Sequence, residues 1–459
     1  MKKISKRAVV TTMLVLLAFA GLLVFTVQYF VKARTWVSYP GSPHVYAGGN
    51  IATGTVKDRD GVTLLTNGST RTYASDAEVR MATLHLLGDR YGMIEAPLIN
   101  AYAEELLDYN VITGMYFSDD NGNALNLTIS AEACKAALEG LNGRKGTVGV
   151  YNYLTGEILC MVSSGTYDPD DPPTEAEIEA SEYYSGTYLN RFTSATYVPG
   201  SIFKLVTAAA AIDAGYDPDS SMFECTKQTV ISGETVTCEE YHGQISFGTG
   251  LVKSCNIVFG ELAVVLGADV MTKYAEAAGV TTSISFDGTD TEPGQFDVSD
   301  ANDAALAWAG IGQYTNLVNP CQFMTFVGSI ANGGVSASPY VVSSVENPQG
   351  VKIYSAKSTS LDRTMSANTA GILAKMMRND VVYNYGASNF GDLYVCAKSG
   401  TAEVDGQEYP NAMFAGFVQS TEYPLAFICV VENAGSGSSV CVPIISEVLN
   451  ACVISMDAQ

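Results

Sequence analysis

Residues Ala8 to Val31 read AVVTTMLVLLAFAGLLVFTVQYFV, 24 positions without a charge. About 20 apolar residues suffice to carry a helix across the ~30 Å hydrocarbon core of a bilayer. The run therefore predicts a membrane-spanning helix over 8–31, with a cytoplasmic tail at 1–7. Four basic residues precede it (Lys2, Lys3, Lys6, Arg7) and two follow (Lys32, Arg34). The positive-inside bias puts Met1 in the cytoplasm and the bulk of the chain outside the plasma membrane, as a single-pass protein. A cleavable signal peptide is the rival reading, but its apolar core spans about 7–15 residues and ends at a small-residue cleavage site. Here the core is longer and runs into Lys32-Ala33-Arg34-Thr35-Trp36.

The 459 residues leave room for two or three domains outside the anchor. Net charge is −23, and residues 1–34 hold six basic residues and no acidic one, so the remainder is more acidic still. Such a body repels phosphate backbones, which excludes nucleic acid as the expected partner. Only three histidines are present (His44, His85, His242). A multi-histidine metal site is not expected, and acyl-transfer chemistry would use a base other than histidine. Among the ten cysteines, Cys160, Cys396 and Cys429 sit in apolar runs and read as buried thiols. Cys225 and Cys238 flank a polar loop and form the best candidate disulfide, which an extracytoplasmic domain permits. No CxxC spacing occurs, so no zinc site is expected.

Residues 35–124 read as a small mixed domain. GTVKDRDGVTLL has the pattern of two strands around a turn; MATLHLLGDR and INAYAEELLD have helical spacing; DDNGNA at 119–124 marks a boundary. Beyond it come a strand (LNLTIS), a helix (AEACKAALEGL) and a hairpin turning at Leu154-Thr155-Gly156. The stretch Asp168–Glu182 holds seven acidic residues and reads as a solvated excursion. SIFKLVTAAAAIDA is apolar nearly all round and predicts a buried helix from Ser201 to Ala214. Helices follow over roughly 246–315. Strands are expected at 391–402, 412–419 and 424–432, then a final amphipathic helix with Pro443 near its first turn. Two early strands, a helical middle, late strands and a last helix predict an α+β fold: an antiparallel sheet covered by helices.

Three short motifs could carry chemistry. In Pro199-Gly200-Ser201-Ile202-Phe203-Lys204, positions i and i+3 share a helix face, so the Ser201 hydroxyl and the Lys204 amine can meet. A serine needs a base to become nucleophilic, and a lysine serves only if burial or nearby positive charge lowers its pKa. Lys253-Ser254-Cys255-Asn256 could offer a proton-relay hydroxyl and a carbonyl-binding amide. In Lys398-Ser399-Gly400-Thr401, strand alternation puts Ser399 and Thr401 on one side and Lys398 and Gly400 on the other. Gly400 would let a substrate backbone approach, and hydroxyls beside a lysine suit a carboxylate. Each motif alone is weak. Ser366-Ala367-Asn368 is a decoy for the second and reads as a helix cap.

In this order the three resemble S-x-x-K, S-x-N and K-[ST]-G of the penicillin-recognising serine acyltransferases. LNRFTSATYVPGSIFK, GIGQYTNLVNPCQFMTFVGSIANGG and KSGTAE with NAMFAGFV are similar to the segments around those motifs. The resemblance covers about 125–459, as the transpeptidase domain. More weakly, 35–124 resembles the non-catalytic pedestal of class B penicillin-binding proteins. The pattern departs at Asn411-Ala412-Met413-Phe414, where the family often has a histidine or aspartate and a tryptophan.

The resemblance implies a peptidoglycan D,D-transpeptidase that uses no cofactor and no metal. Ser201 attacks the carbonyl between two terminal D-alanines, Lys204 is its base, and Ser254, near Lys398, relays a proton to the leaving amine. Asn256 holds a substrate amide, while Ser399 and Thr401 bind the terminal carboxylate. The backbone N–H groups of Ser201 and Thr401 form the oxyanion hole. Stem peptides of the lipid-linked precursor would be substrates, β-lactams inhibitors, and a glycosyltransferase of the wall machinery a partner, since no stretch is long enough for a glycosyltransferase domain. If water replaced the acceptor amine, the enzyme would be a D,D-carboxypeptidase or β-lactamase. A non-catalytic sensor or scaffold is the reading from another class, disfavoured by three intact motifs.

Overall fold

In the computed structural model, residues 2–39, 46–47, 50–68, 70–107, 109–116, 122–404 and 406–458 are described. His44 and residues 119–121, half of the expected boundary at 119–124, lie outside them. The first helix, α1, spans Lys2–Val37. An 18-residue window within Lys3–Ala33 has a mean hydropathy of 2.6 and none of it is buried. Only towards the end of the span does the helix meet the rest of the protein, where Tyr29 donates to Val111 O at 2.9 Å and Ala33 is buried.

The main frame is a five-stranded antiparallel sheet. Its strands are β1 (Gly146–Asn152), β2 (Ile158–Ser163), β3 (Val395–Ala402), β4 (Asn411–Val418) and β5 (Leu425–Val431), in the order β2-β1-β5-β4-β3. Chain ends therefore meet at the centre: β5 pairs with β1, Cys429 opposite Val148. Every residue of β1, β2, β4 and β5 is buried. That explains their near-continuous apolar runs, since helices cover both faces.

One face carries α2 (Ala131–Leu141) and the C-terminal helix, which pack on each other. On the other side the buried α3 (Lys204–Asp213) packs on α4 (Asn256–Leu266), and α5 (Pro320–Ala331) and α6 (Ala367–Asp380) lie against the strands, α6 also packing on α3. Ser366 caps α6 by accepting the Thr369 N–H, as the decoy's plain reading has it. The C-terminal helix, α7, runs Gly437–Asp457 and starts earlier than its amphipathic pattern suggests, so Pro443 lies inside it and not in the first turn. Likewise INAYAEELLD forms two short helices, Pro97–Ala101 and Ala103–Leu106, broken at Tyr102.

A second, six-stranded sheet joins Thr55–Lys57, Thr63–Thr66 and Thr72–Tyr73 to Ala124–Leu127, Val342–Glu346 and Lys352–Ser355. Thr55–Lys57 lies parallel to Ala124–Leu127, which pairs antiparallel with Val342–Glu346. The N-terminal sheet thus borrows strands from 200 residues downstream, a long-range pairing that local patterning does not reveal.

The acidic stretch 168–182 is pinned rather than free. Asp168 forms a two-pronged ion pair with Arg80, Nε–Oδ1 at 2.7 Å and Nη2–Oδ2 at 2.6 Å; Asp170 pairs with Arg90, and Glu182 with Lys145. Its middle is a short helix, Glu175–Ala180, closed by a Thr174/Glu177 capping box. The basic partners lie up to 88 residues away, which is why the stretch looks unpaired in sequence.

Candidate active site

Ser201 lies in a 3₁₀ turn, Gly200–Phe203, that feeds directly into α3. Residues i and i+3 eclipse in a 3₁₀ turn, so Ser201 and Lys204 align more closely than the continuous α-helix expected from sequence would allow. Lys204 Nζ lies 3.0 Å from Ser201 Oγ and 3.1 Å from Ser254 Oγ. It also donates to Ser254 O at 2.6 Å and to Asn256 Oδ1 at 2.8 Å. Two acceptors thus take both N–H bonds of a neutral amine, and its lone pair is left for a serine hydroxyl.

The electrostatics favour that neutral form. Lys204 is fully buried, and burial, helped by the positive charge of Lys398, lowers its pKa to about 7. Ser254 holds a left-handed backbone, φ +50°, a conformation that costs a non-glycine residue about 1 kcal/mol or more. The turn aims both its carbonyl and its hydroxyl at Lys204. Asn256 is steadied from its other end, Nδ2 donating to Thr237 O at 3.0 Å.

Strand β3 closes the site. Gly200 has φ +53°, and a Cβ there would meet Thr401 O at 2.7 Å; a Cβ at Gly400 would meet Pro199 O at 2.9 Å. Both glycines let the serine turn and β3 touch backbone to backbone. The close approach expected at Gly400 is therefore made by the protein's own chain.

Lys398 follows the strand alternation, buried beneath the site and 3.4 Å from Asp380 Oδ2 at the end of α6. Asp380 is itself wholly buried; burial raises its pKa, and Lys398 opposes that rise. Tyr385 adds a hydroxyl 2.9 Å from Asp380 Oδ2, and Asn384 Nδ2 donates to Asp380 Oδ1 at 2.6 Å.

The seven side-chain-bearing expected residues do not all meet. Ser201, Ser254, Asn256 and Thr401 line one cavity of about 460 Å3, with Lys204 and Lys398 beneath it. Ser399 does not line it: its hydroxyl lies 2.9 Å from the Tyr385 hydroxyl, which also accepts the Ser399 N–H at 2.9 Å. Trp308, Gln313, Tyr314, Thr237, Glu239 and Glu403 add to the wall, along with Cys238. Sequence reasoning missed these and Asp380. The stretch MMRNDVVYNY around Asp380 mixes polar and apolar residues and gave no sign that this carboxylate is buried.

The cysteines bear out part of their reading. Cys160, Cys396 and Cys429 are buried in strands. No cysteine is bridged, so the candidate Cys225–Cys238 pair is not a disulfide here. Cys238 Sγ instead sits 3.9 Å from Cys255 Sγ, beyond S–S bonding distance.

Comparison with known proteins agrees with this geometry. Residues 146–450 match the penicillin binding protein transpeptidase domain. The chain is 29% identical over 368 residues to the peptidoglycan D,D-transpeptidase PbpA of Mycolicibacterium smegmatis, covering 74% of each. It is 27% identical to the stage V sporulation protein D of Bacillus subtilis over 65% of this chain and 47% of that one. Among solved structures, the D,D-transpeptidase domain of an Eggerthella lenta peptidoglycan glycosyltransferase superposes with a TM-score of 0.74 at 26% identity, over 87% of this chain and 97% of that one. The imipenem acyl-enzyme of penicillin-binding protein A from Mycobacterium tuberculosis gives 0.74 at 25%, over 87% and 98%. With its three motifs gathered on one cavity and two thirds of its length matched, the chain belongs to the penicillin-binding protein transpeptidase family, as a class B member.

Proposed function

We propose that this protein is a membrane-anchored peptidoglycan D,D-transpeptidase, acylated by stem peptides and by β-lactams at Ser201. The observation that carries the reading is the buried Lys204 amine, with a pKa of about 7, placed 3.0 Å from Ser201 Oγ and 3.1 Å from Ser254 Oγ. Lys204 takes the Ser201 proton as the hydroxyl attacks the penultimate D-alanine carbonyl. Ser254 passes a proton to the departing D-alanine amine, with Lys398 lending positive charge. The N–H groups of Ser201 and Thr401 serve the oxyanion, where one lost donor costs ~3–4 kcal/mol of barrier. Asn256 holds the donor amide, and Thr401 binds the terminal carboxylate. Ser399 joins Thr401 once its hydroxyl turns from Tyr385, and Gly400 shapes the strand. An amine of a second stem then takes the acyl group.

The exposed apolar helix Lys3–Ala33 supports anchoring. The basic N-terminal flank supports a single pass with residues 125–459 outside the plasma membrane, lifted by a pedestal of 35–124. That placement suits a lipid-linked precursor and a partner glycosyltransferase. The test is intact-mass analysis of the detergent-solubilised chain after penicillin, beside Ser201→Ala, then a D-Ala-D-Ala donor with an amine acceptor. A one-drug adduct lost in Ser201→Ala and a cross-linked product are expected. Donor hydrolysis without transfer would make it a carboxypeptidase, rapid drug turnover a β-lactamase, and no adduct a scaffold.

A further inference from the structure

The Ser254–Asn256 turn is bordered by a second cluster that the acyl-transfer chemistry does not use. Cys225, Cys238, His242 and Cys255 place one ligating atom each within 4.8 Å of all the others. Cys238 Sγ lies 3.7 Å from His242 Nδ1 and 3.9 Å from Cys255 Sγ. A tetrahedral zinc ion with bonds of about 2.3 Å to sulfur and about 2.05 Å to nitrogen sets its ligands about 3.6–3.8 Å apart. All three thiols are buried, and His242 is half-buried. Three thiols and an imidazole are an odd set for disulfide chemistry, because any bridge would leave one thiol and the histidine over. They are a complete set for a closed tetrahedral metal site.

The surroundings need such a tie. Cys225 ends the strand Met222–Cys225, and Cys238 follows the hairpin of Gln228–Ile231 and Glu234–Thr237. His242 precedes Gly243–Ser246, and Cys255 caps α4. The two-stranded pieces are largely exposed; only Cys225, Val236 and Ile245 within them are buried. An isolated hairpin with so little core is marginal in water, and small apolar-poor units are commonly held by a metal. This hairpin is also catalytically placed, for Thr237 O holds Asn256 and Cys238 lines the active-site cavity.

We propose that Cys225, Cys238, His242 and Cys255 bind one zinc ion, which fixes the Ser254–Asn256 turn and the hairpin forming the cavity rim. The four come from one 31-residue span; Cys238 and His242 are four residues apart, while strands separate them from Cys225 and from Cys255. Binding releases the thiol protons and forms three Zn–S bonds and one Zn–N bond, with no change of oxidation state. The ion has no open position, and its action on the reaction is positional: it holds Cys255, whose two neighbours both touch Lys204.

The test uses the full chain purified in detergent without chelators. Elemental analysis should find about one zinc per chain, and cobalt replacing it should show the charge-transfer and visible bands of tetrahedral thiolate ligation. His242→Ala and Cys225→Ser should lose the metal, while His242→Cys should keep it. Stripping by a strong chelator should slow penicillin acylation at least about tenfold, and added zinc should restore it. A zinc-free chain lacking the cobalt spectrum, one carrying a disulfide among these cysteines, or one whose zinc survives both ligand substitutions would overturn the proposal. Metal content is read independently of acylation, so a zinc-loaded chain that penicillin fails to label would sink the transpeptidase reading and leave the metal site standing.

Discussion

Lys398 and Asp380 form an ion pair at 3.4 Å, and neither side chain reaches solvent. The pair joins β3 to the end of α6 directly beneath the cavity. It sets a hierarchy between the two lysines of the site. Lys398 has a carboxylate partner, whereas Lys204 meets only neutral oxygens and feels the charge of Lys398. One lysine is thus supplied with a counter-charge and the other is poised to lose its proton.

Removing Asp380 should therefore cost more than a hydrogen bond. Asp380→Asn leaves the buried Lys398 without its counter-charge, a change that typically destabilises by about 3–5 kcal/mol. Denaturant unfolding should show that loss, and adding Lys398→Met should recover part of it. If the double variant instead loses the sum of the Asp380→Asn and Lys398→Met single losses, the two residues are not energetically coupled.

Acylation should follow the protonation of Lys204. The amine works as a base only when neutral, and its pKa is about 7. The penicillin acylation rate should fall about tenfold per unit below that value and level off above it. Stability should move the same way for a different reason. The unfolded chain keeps this proton up to about pH 10.4, so between about 7 and 10 the unfolded state binds more protons and folding gains as pH rises. A flat rate profile from about pH 5 to 9 would remove Lys204 from the role of base.

Much of this site was legible because its chemistry is local. Ser201 and Lys204 are three apart on one turn, and the alternation of β3 correctly separated Lys398 from Ser399. What escaped was non-local. Asp380, the Arg80–Asp168 pair and the strand Val342–Glu346 have partners 18 to 218 residues away, and chain spacing carries no signal for such contacts. The cluster of Cys225, Cys238, His242 and Cys255 is non-local too, brought together by the pairing of the strands between them. The α7 start failed differently, since tertiary packing let the helix continue through Pro443 against its propensity.

Thr401 and Ser399 should differ as carboxylate ligands. Thr401 lines the cavity, while the Ser399 hydroxyl is engaged by Tyr385. Thr401→Ala should lower the second-order acylation constant by about tenfold or more, and Ser399→Ala by less. Repeating both with a β-lactam ester, which lacks the carboxylate charge, should shrink the Thr401→Ala effect. Equal losses from both substitutions would mean that the bond to Tyr385 does not weaken Ser399 as a carboxylate ligand.

The serine turn offers the sharpest separation of activity from stability. Gly200 holds φ +53°, and a methyl group there would sit 2.7 Å from the Thr401 carbonyl oxygen. Alanine at a left-handed glycine costs about 1 kcal/mol in backbone energy alone. The contact is with backbone rather than a flexible side-chain tip, so the turn and β3 must move apart. The N–H groups of Ser201 and Thr401 lie on those two segments, and displacing one oxyanion donor costs about 10²–10³ in rate. Gly200→Ala should fold with a loss of ~1–3 kcal/mol and acylate about a hundredfold more slowly. Thermal unfolding and penicillin kinetics on the same preparation check both halves. A variant that unfolds earlier but acylates at the parental rate would show that the two segments can separate without disturbing the oxyanion site.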